Sequence, residues 1–133
     1  MTSKEKNELL GELLTTNLLP LAFVGDSVHT QFVRENILKR THDNKMDNYN
    51  SISAKYCKAS SQAKVLQNLL PLLNEEEKEI VRRGRNAKPK HHAKNATTAD
   101  YNYATAFEVL IGYLYLKGDE KLLEQILNIS ISD

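Results

Sequence analysis

Two carboxylates stand in surroundings that are otherwise apolar. Placed on a helix at about 100° per residue, residues 21–38 give two apolar sectors. Leu21, Val24, Val28 and Phe32 form one; Ala22, Val33 and Ile37 form the other, and Asp26 falls among these last. Its neighbour Gly25 lets another backbone approach closely. Glu108 is the sole charge in residues 103–116 (YATAFEVLIGYLYL), a stretch apolar nearly all round, and Gly112 follows one turn later on nearly the same face. A buried acid needs a cation, hydrogen-bond donors or a raised pKa. Either acid alone reads first as a structural group, half of a buried ion pair or a hydrogen-bonded acid at a helix junction. Together, on the two most apolar helices, Asp26 and Glu108 suit a shared site for a hard metal. Mg²⁺ takes a few carboxylate oxygens and keeps its other positions for water and phosphate. The matching chemistry is phosphodiester cleavage, with an activated water and a stabilised leaving oxygen.

The charges have a location too. The chain has 133 residues with 18 Lys+Arg against 17 Asp+Glu, a net charge of +1 that by itself excludes a uniformly basic surface. Six of the cations (Arg82, Arg83, Arg85, Lys88, Lys90 and Lys94) fall in one acid-free block with His91 and His92. Without them, 12 basic residues face 17 acidic ones, so the body of the protein is mildly acidic. Such a block is either a solvated loop or an element that contacts phosphates by displacing counterions. Adjacent histidines in a lysine-rich loop rarely make a transition-metal site unaided.

These groups must be held by helices. Leu9, Leu10, Leu13, Leu14 and Leu18 have the spacing of an amphipathic first helix. Pro20 suits the first turn of a second, running to about Arg40. Residues 41–50 are polar and read as a loop. Ser51 or Ser53 would cap a third helix, with Ala54, Cys57, Val65, Leu66, Leu69 and Leu70 at buried positions. Asn74 to Glu77 has the form of a capping box for a fourth helix that runs into the basic block. Thr97 or Thr98 opens a fifth, Lys117-Gly118 closes it, and Asp119 caps a short last helix through Leu127. No alternating strand pattern and no repeat occurs. The expectation is one all-α domain over residues 1–133, long enough to bury a real core.

Residues 1–7 are polar, the leucines after them are interrupted by Gly11 and Glu12, and the apolar run 18–24 contains Pro20. No targeting signal or membrane span is expected. The lone Cys57 cannot form an internal disulfide, which fits a reducing, cytoplasmic setting. It reads as a small buried helix residue. Tyr101, Tyr103, Tyr113 and Tyr115, at helical spacing, read as core or subunit-interface residues rather than stacking platforms. His29, one turn beyond Asp26, stands where a proton carrier would.

Three segments carry a family resemblance. LAFVGDSV, residues 21–28, resembles the signature helix of ribonuclease III catalytic domains, roughly L-E-F-L-G-D-A-V. TAFEVLIG, residues 105–112, is similar to the second family motif, D-x-F-E-A-L-I-G. RGRNAK, residues 83–88, resembles the R-G-R-N-A-K segment of the short branch called Mini-ribonuclease III. Order and spacing match from about Leu18 to Leu127. The resemblance implies a homodimeric, all-helical endoribonuclease that cuts double-stranded RNA with Mg²⁺, leaving 5′-phosphate and 3′-hydroxyl ends. It further implies maturation of the 23S ribosomal RNA precursor, with a ribosomal protein that shapes the substrate as a candidate partner. Only 25 residues follow Glu108, so the double-stranded-RNA-binding domain of the longer enzymes is expected to be absent.

The resemblance carries the metal site over to Asp26 and Glu108 only. Ala22 and Thr105 stand where the longer enzymes have a further glutamate and aspartate, which implies weaker metal binding. The Thr105 hydroxyl remains available to orient a water. With no accessory domain, Arg83, Arg85, Asn86, Lys88, Lys90 and Lys94 become the candidate grip on the RNA duplex, which is recognised by shape and phosphates. Two rival readings keep the fold without the chemistry. One is a non-catalytic RNA-binding or ribosome-assembly dimer, and the other is a helical interaction module with structural acids.

Overall fold

The computed structural model describes residues 1–40, 45–87 and 97–132. Among the described residues seven α-helices run in order: α1 (Ser3–Thr15), α2 (Leu19–Arg40), α3 (Met46–Cys57), α4 (Ala59–Leu69), α5 (Glu75–Asn86), α6 (Thr98–Lys117) and α7 (Glu120–Ser130). A 3-10 turn, Leu70–Leu72, follows α4. There is no strand among the described residues, as an all-α fold requires. None of these helices is long and apolar enough to cross a membrane.

The caps explain the boundaries. Asn74 Oδ1 accepts from the Glu77 amide at 2.8 Å, and the Glu77 carboxylate accepts from the Asn74 amide at 2.9 Å, the reciprocal pair that starts α5. Thr97 caps α6 and Asp119 caps α7 through their side-chain oxygens. Gly118, with φ of 85°, ends α6 in the left-handed conformation that favours glycine.

Helix α6 is the axis of the molecule. Eleven of its residues are buried, and α1, α2, α4, α5 and α7 all pack against it. A helix apolar on every side has no stable place except the centre. Around it Leu10, Leu18, Leu21, Leu66, Leu69, Ile80, Val81 and Ile126 complete the main core.

Two expectations need correction. Residues 46–50, expected in a loop, form the first turn of α3, which starts at Lys45 without a side-chain cap. The expected single helix after Ser51 is two helices, broken at Lys58 with ψ of 155°. At the break the Ser61 hydroxyl donates to the Lys55 carbonyl at 2.6 Å, satisfying an acceptor that the end of α3 leaves open. The turn lets α3 lie on α2 while α4 lies on α6. Ala54 is accordingly exposed, and Cys57 is half-buried beside the small second cluster of Val33, Ile37 and Ile131.

Candidate active site

The site is made where α2 crosses α6 with almost nothing between the two backbones. A Cβ placed on Gly25 would lie 1.8 Å from the Glu108 carbonyl oxygen, and one on Gly112 would lie 2.0 Å from that of Leu21. The two glycines thus contact the opposite helix reciprocally. Asp26 directly follows the first glycine, and Glu108 supplies the carbonyl that the glycine touches. The crossing therefore delivers both side chains to one open depression of about 430 Å³, walled by Ala22, Phe23, Tyr101 and Thr105.

Asp26 is exposed, contrary to the buried position expected from its apolar neighbours. The buried stripe of α2 is Leu21, Gly25, His29, Val33 and Ile37, a strict four-residue spacing, and Asp26 sits on its flank. Glycine and histidine at two of the five positions hide this stripe from hydrophobic patterning. Glu108 is half-buried. Its pKa is pushed up to about 8, first by burial and then by the hydrogen bond and negative charge of Asp26, while the Gln62 amide acts in the opposite sense. Two acids that crowd each other in this way offer their oxygens to a common cation. Among the described residues no third His, Cys, Asp or Glu joins them in a metal-binding group. The pair fits a hard divalent ion whose remaining positions go to water and phosphate.

Ala22 and Thr105 line the same depression, so the two positions at which the motif resemblance would place further acids are spatially part of this site. The Thr105 hydroxyl donates to the Tyr101 carbonyl at 3.0 Å, which leaves only its lone pairs to face a water. His29 is 1% exposed, with both ring nitrogens engaged, at 3.1 Å from Ser130 Oγ and 3.1 Å from Gln62 Nε2. Burial pushes its pKa down to about 4, with Asp26 opposing. Buried and with both nitrogens engaged, the ring has no open position from which to exchange a proton with the depression. Gln62, from α4, carried no sequence signal; only the fold brings it beneath Glu108.

The basic block divides. Arg83 is half-buried and donates to the Leu14 carbonyl at 2.7 Å, tying down the end of α1 rather than offering a free cation. Arg82 pairs with Glu79 through Nε at 2.8 Å. Arg85 is exposed, its guanidinium carbon 5.7 Å from the Tyr103 ring centre, and Asn86 is exposed at the last turn of α5. Gly84 of α5 packs on Ala106 and Val109, so Arg85 lies along a different flank of α6 from the carboxylates. Lys88, Lys90 and Lys94, like His91 and His92, lie outside the described residues. Of the tyrosines, Tyr113 is buried and donates its hydroxyl to Glu76, whereas Tyr101, Tyr103 and Tyr115 are half-buried.

Comparison with known proteins agrees with the motifs. The family described as Ribonuclease III domain matches residues 19–119. The chain is 44% identical over 122 residues to the Mini-ribonuclease 3 of Brevibacillus brevis, covering 92% of this chain and 90% of the relative. It is 42% identical over 129 residues to that of a Thermoanaerobacter species, covering 96% and 90%. A crystal structure of a protein from Fusobacterium nucleatum superposes with a TM-score of 0.79 at 30% identity, over 86% of this chain and 92% of that one. With both motifs inside the matched region and its relatives alike over nearly their full length, this chain belongs to the ribonuclease III family, on its Mini-ribonuclease 3 branch.

Proposed function

We propose that this chain, an endoribonuclease by family, cleaves double-stranded regions of the 23S ribosomal RNA precursor with Mg²⁺ held by Asp26 and Glu108. The observation that carries the reading is the glycine-to-glycine crossing that brings the two carboxylates into one open depression. When bound there, the cation would polarise the scissile phosphate and stabilise charge on the leaving oxygen. The residues of the chain do the rest. Asp26, exposed on its flank, and the half-buried Glu108 would hold the cation through their carboxylate oxygens, and a cation there would favour the ionised form of Glu108. Ala22, which puts no acid beside Asp26, leaves room for water and the RNA phosphate, and the lone pairs of Thr105 take a water hydrogen.

A homodimer is part of the proposal. Phe23 is 82% exposed next to Asp26, and Leu38 is 61% exposed further along the same side of α2. Apolar groups of this size bordering a site favour a partner surface. A duplex lying across two subunits would meet both carboxylate pairs, and Arg85, Asn86, Lys88, Lys90 and Lys94 would hold its backbone.

The test is Asp26→Asn, assayed on a structured precursor RNA with Mg²⁺ and with EDTA. The native chain should cut at discrete sites only with Mg²⁺. The variant should fold, dimerise and bind duplex as before while cleavage falls by at least a thousandfold. Native-level cleavage by Asp26→Asn would remove the carboxylates from the mechanism; metal-independent cleavage would remove the cation.

A further inference from the structure

Beneath the carboxylates, three buried polar side chains from three helices form one line. Gln62 of α4, His29 of α2 and Ser130 of α7 are 3%, 1% and 5% exposed. The direction of every hydrogen bond in the line can be deduced. The Leu127 carbonyl can only accept, so the Ser130 hydroxyl donates to it, at 2.6 Å. Ser130 Oγ then accepts from His29 Nε2–H at 3.1 Å. The other ring nitrogen, Nδ1, is left without a proton and accepts from the Gln62 amide at 3.1 Å. One N–H of Gln62 is committed in this way, and the planar amide holds the second in a fixed direction. Glu108 is the carboxylate on which that amide acts.

The His29 ring is held from the side as well, edge-on to Phe107 with 5.0 Å between centres. Gln62, buried and hydrogen-bonded to that fixed ring, therefore has little rotameric freedom to give up when it meets Glu108. Glu108 has three rotatable bonds, and ordering them costs free energy unless a neighbour has fixed them beforehand. The need is greater here than in a site with four acids, because Ala22 and Thr105 supply no carboxylate.

We propose that Gln62 is a positioning residue, anchored through His29 and Ser130, whose amide orients the Glu108 carboxylate for a divalent cation. The affinity for that cation is thereby set partly from α7, a helix that lines no part of the depression. The inference rests on the reading of Asp26 and Glu108 as the cation ligands. Partners behind metal ligands typically influence affinity by about ten- to a hundredfold.

The test titrates Mn²⁺ alone into the full chain, following the free ion by electron paramagnetic resonance. Gln62→Met keeps the length and fills the space without the amide, and Ser130→Ala breaks the far end of the line. Gln62→Met should weaken Mn²⁺ binding by roughly tenfold, and Ser130→Ala should shift it in the same direction. In cleavage, the half-saturating Mg²⁺ should rise by a similar factor while kcat at saturating Mg²⁺ stays within a few-fold of native. A structural role alone would lower the thermal midpoint and leave the Mn²⁺ affinity unchanged, and that result overturns the proposal. Should Gln62→Met not fold, Ser130→Ala decides, native affinity again overturning it. Asp26→Asn separates the two readings. If it abolishes Mn²⁺ binding while both line variants bind normally, only the positioning role falls. If it binds Mn²⁺ normally, the carboxylate site itself falls.

Discussion

Burial of His29 against Phe107 keeps its ring neutral, with a pKa near 4, while in the unfolded chain it titrates at its ordinary value of 6.5. Between those values the unfolded chain binds a proton at His29 that the folded chain refuses, so the contribution of His29 to stability rises with pH across that window. The contribution is complete above about pH 6.5 and lost progressively toward pH 4, amounting to about 3 kcal/mol in the limit. Glu108, with its pKa raised to about 8, opposes this, because over the same window the folded chain holds a proton there that the unfolded chain releases. The His29 contribution is therefore read in Glu108→Gln, where urea unfolding should show a clearly lower midpoint at pH 5 than at pH 7. Adding His29→Phe should flatten that difference, and an undiminished pH slope in the double variant would assign the acid sensitivity to other groups. The same residue shows what sequence does and does not convey about a site. Asp26 and Glu108 were legible because each breaks a hydrophobic pattern inside a recognisable motif. Gln62 and Ser130 were not, because a polar residue in an ordinary helix acquires its role only from a contact across the fold, between positions 33 and 101 residues apart from His29.

At the level of elements, the helix ends were legible wherever a side chain makes them. Asn74, Thr97, Gly118 and Asp119 each act within a few residues of themselves, so their chemistry is local. The break at Lys58 escaped because no glycine or proline marks it; it exists to send α4 onto α6, a tertiary demand. The crossing of α2 and α6 lies between these cases. Glycine at 25 and at 112 announced close approach, but only the fold shows that each faces the other's helix. Gly25→Ala or Gly112→Ala would drive a methyl group into a backbone carbonyl, which no rotamer change relieves. Each should cost about 3 kcal/mol or more and, by prising α2 from α6, separate the carboxylates and suppress cleavage. Gly11 provides the contrast, since a Cβ there meets nothing within 4 Å on the exposed side of α1. Gly11→Ala should stabilise by about 0.5–1 kcal/mol and leave cleavage unchanged. Denaturant midpoints of the three variants measure the difference directly.

Over the whole molecule, charge is the property most easily misjudged. A net charge of +1 suggests indifference to polyanions, yet six of 18 cations occupy one acid-free block. Within the described residues the fold gives the first arginines of that block other partners. Arg83 ties α5 to the end of α1 through the Leu14 carbonyl, and Arg82 pairs with Glu79 on the exposed surface of α5 itself. The proposed grip on phosphates then begins at Arg85 and takes in, along the sequence, Lys88, Lys90 and Lys94. Counterion release distinguishes the two groups, because a side chain that neutralises a phosphate adds to the salt dependence of binding and one that caps a helix does not. Lys88→Gln with Lys90→Gln should weaken duplex binding and make the plot of log affinity against log salt shallower by about one to two units, with thermal stability unchanged. Arg83→Gln should do the reverse, lowering the thermal midpoint while leaving the salt slope close to native. An unaltered slope in the double lysine variant would mean that the duplex is gripped elsewhere, and the exposed side of α2 around Asp26 and Arg34 would then be the surface to neutralise next.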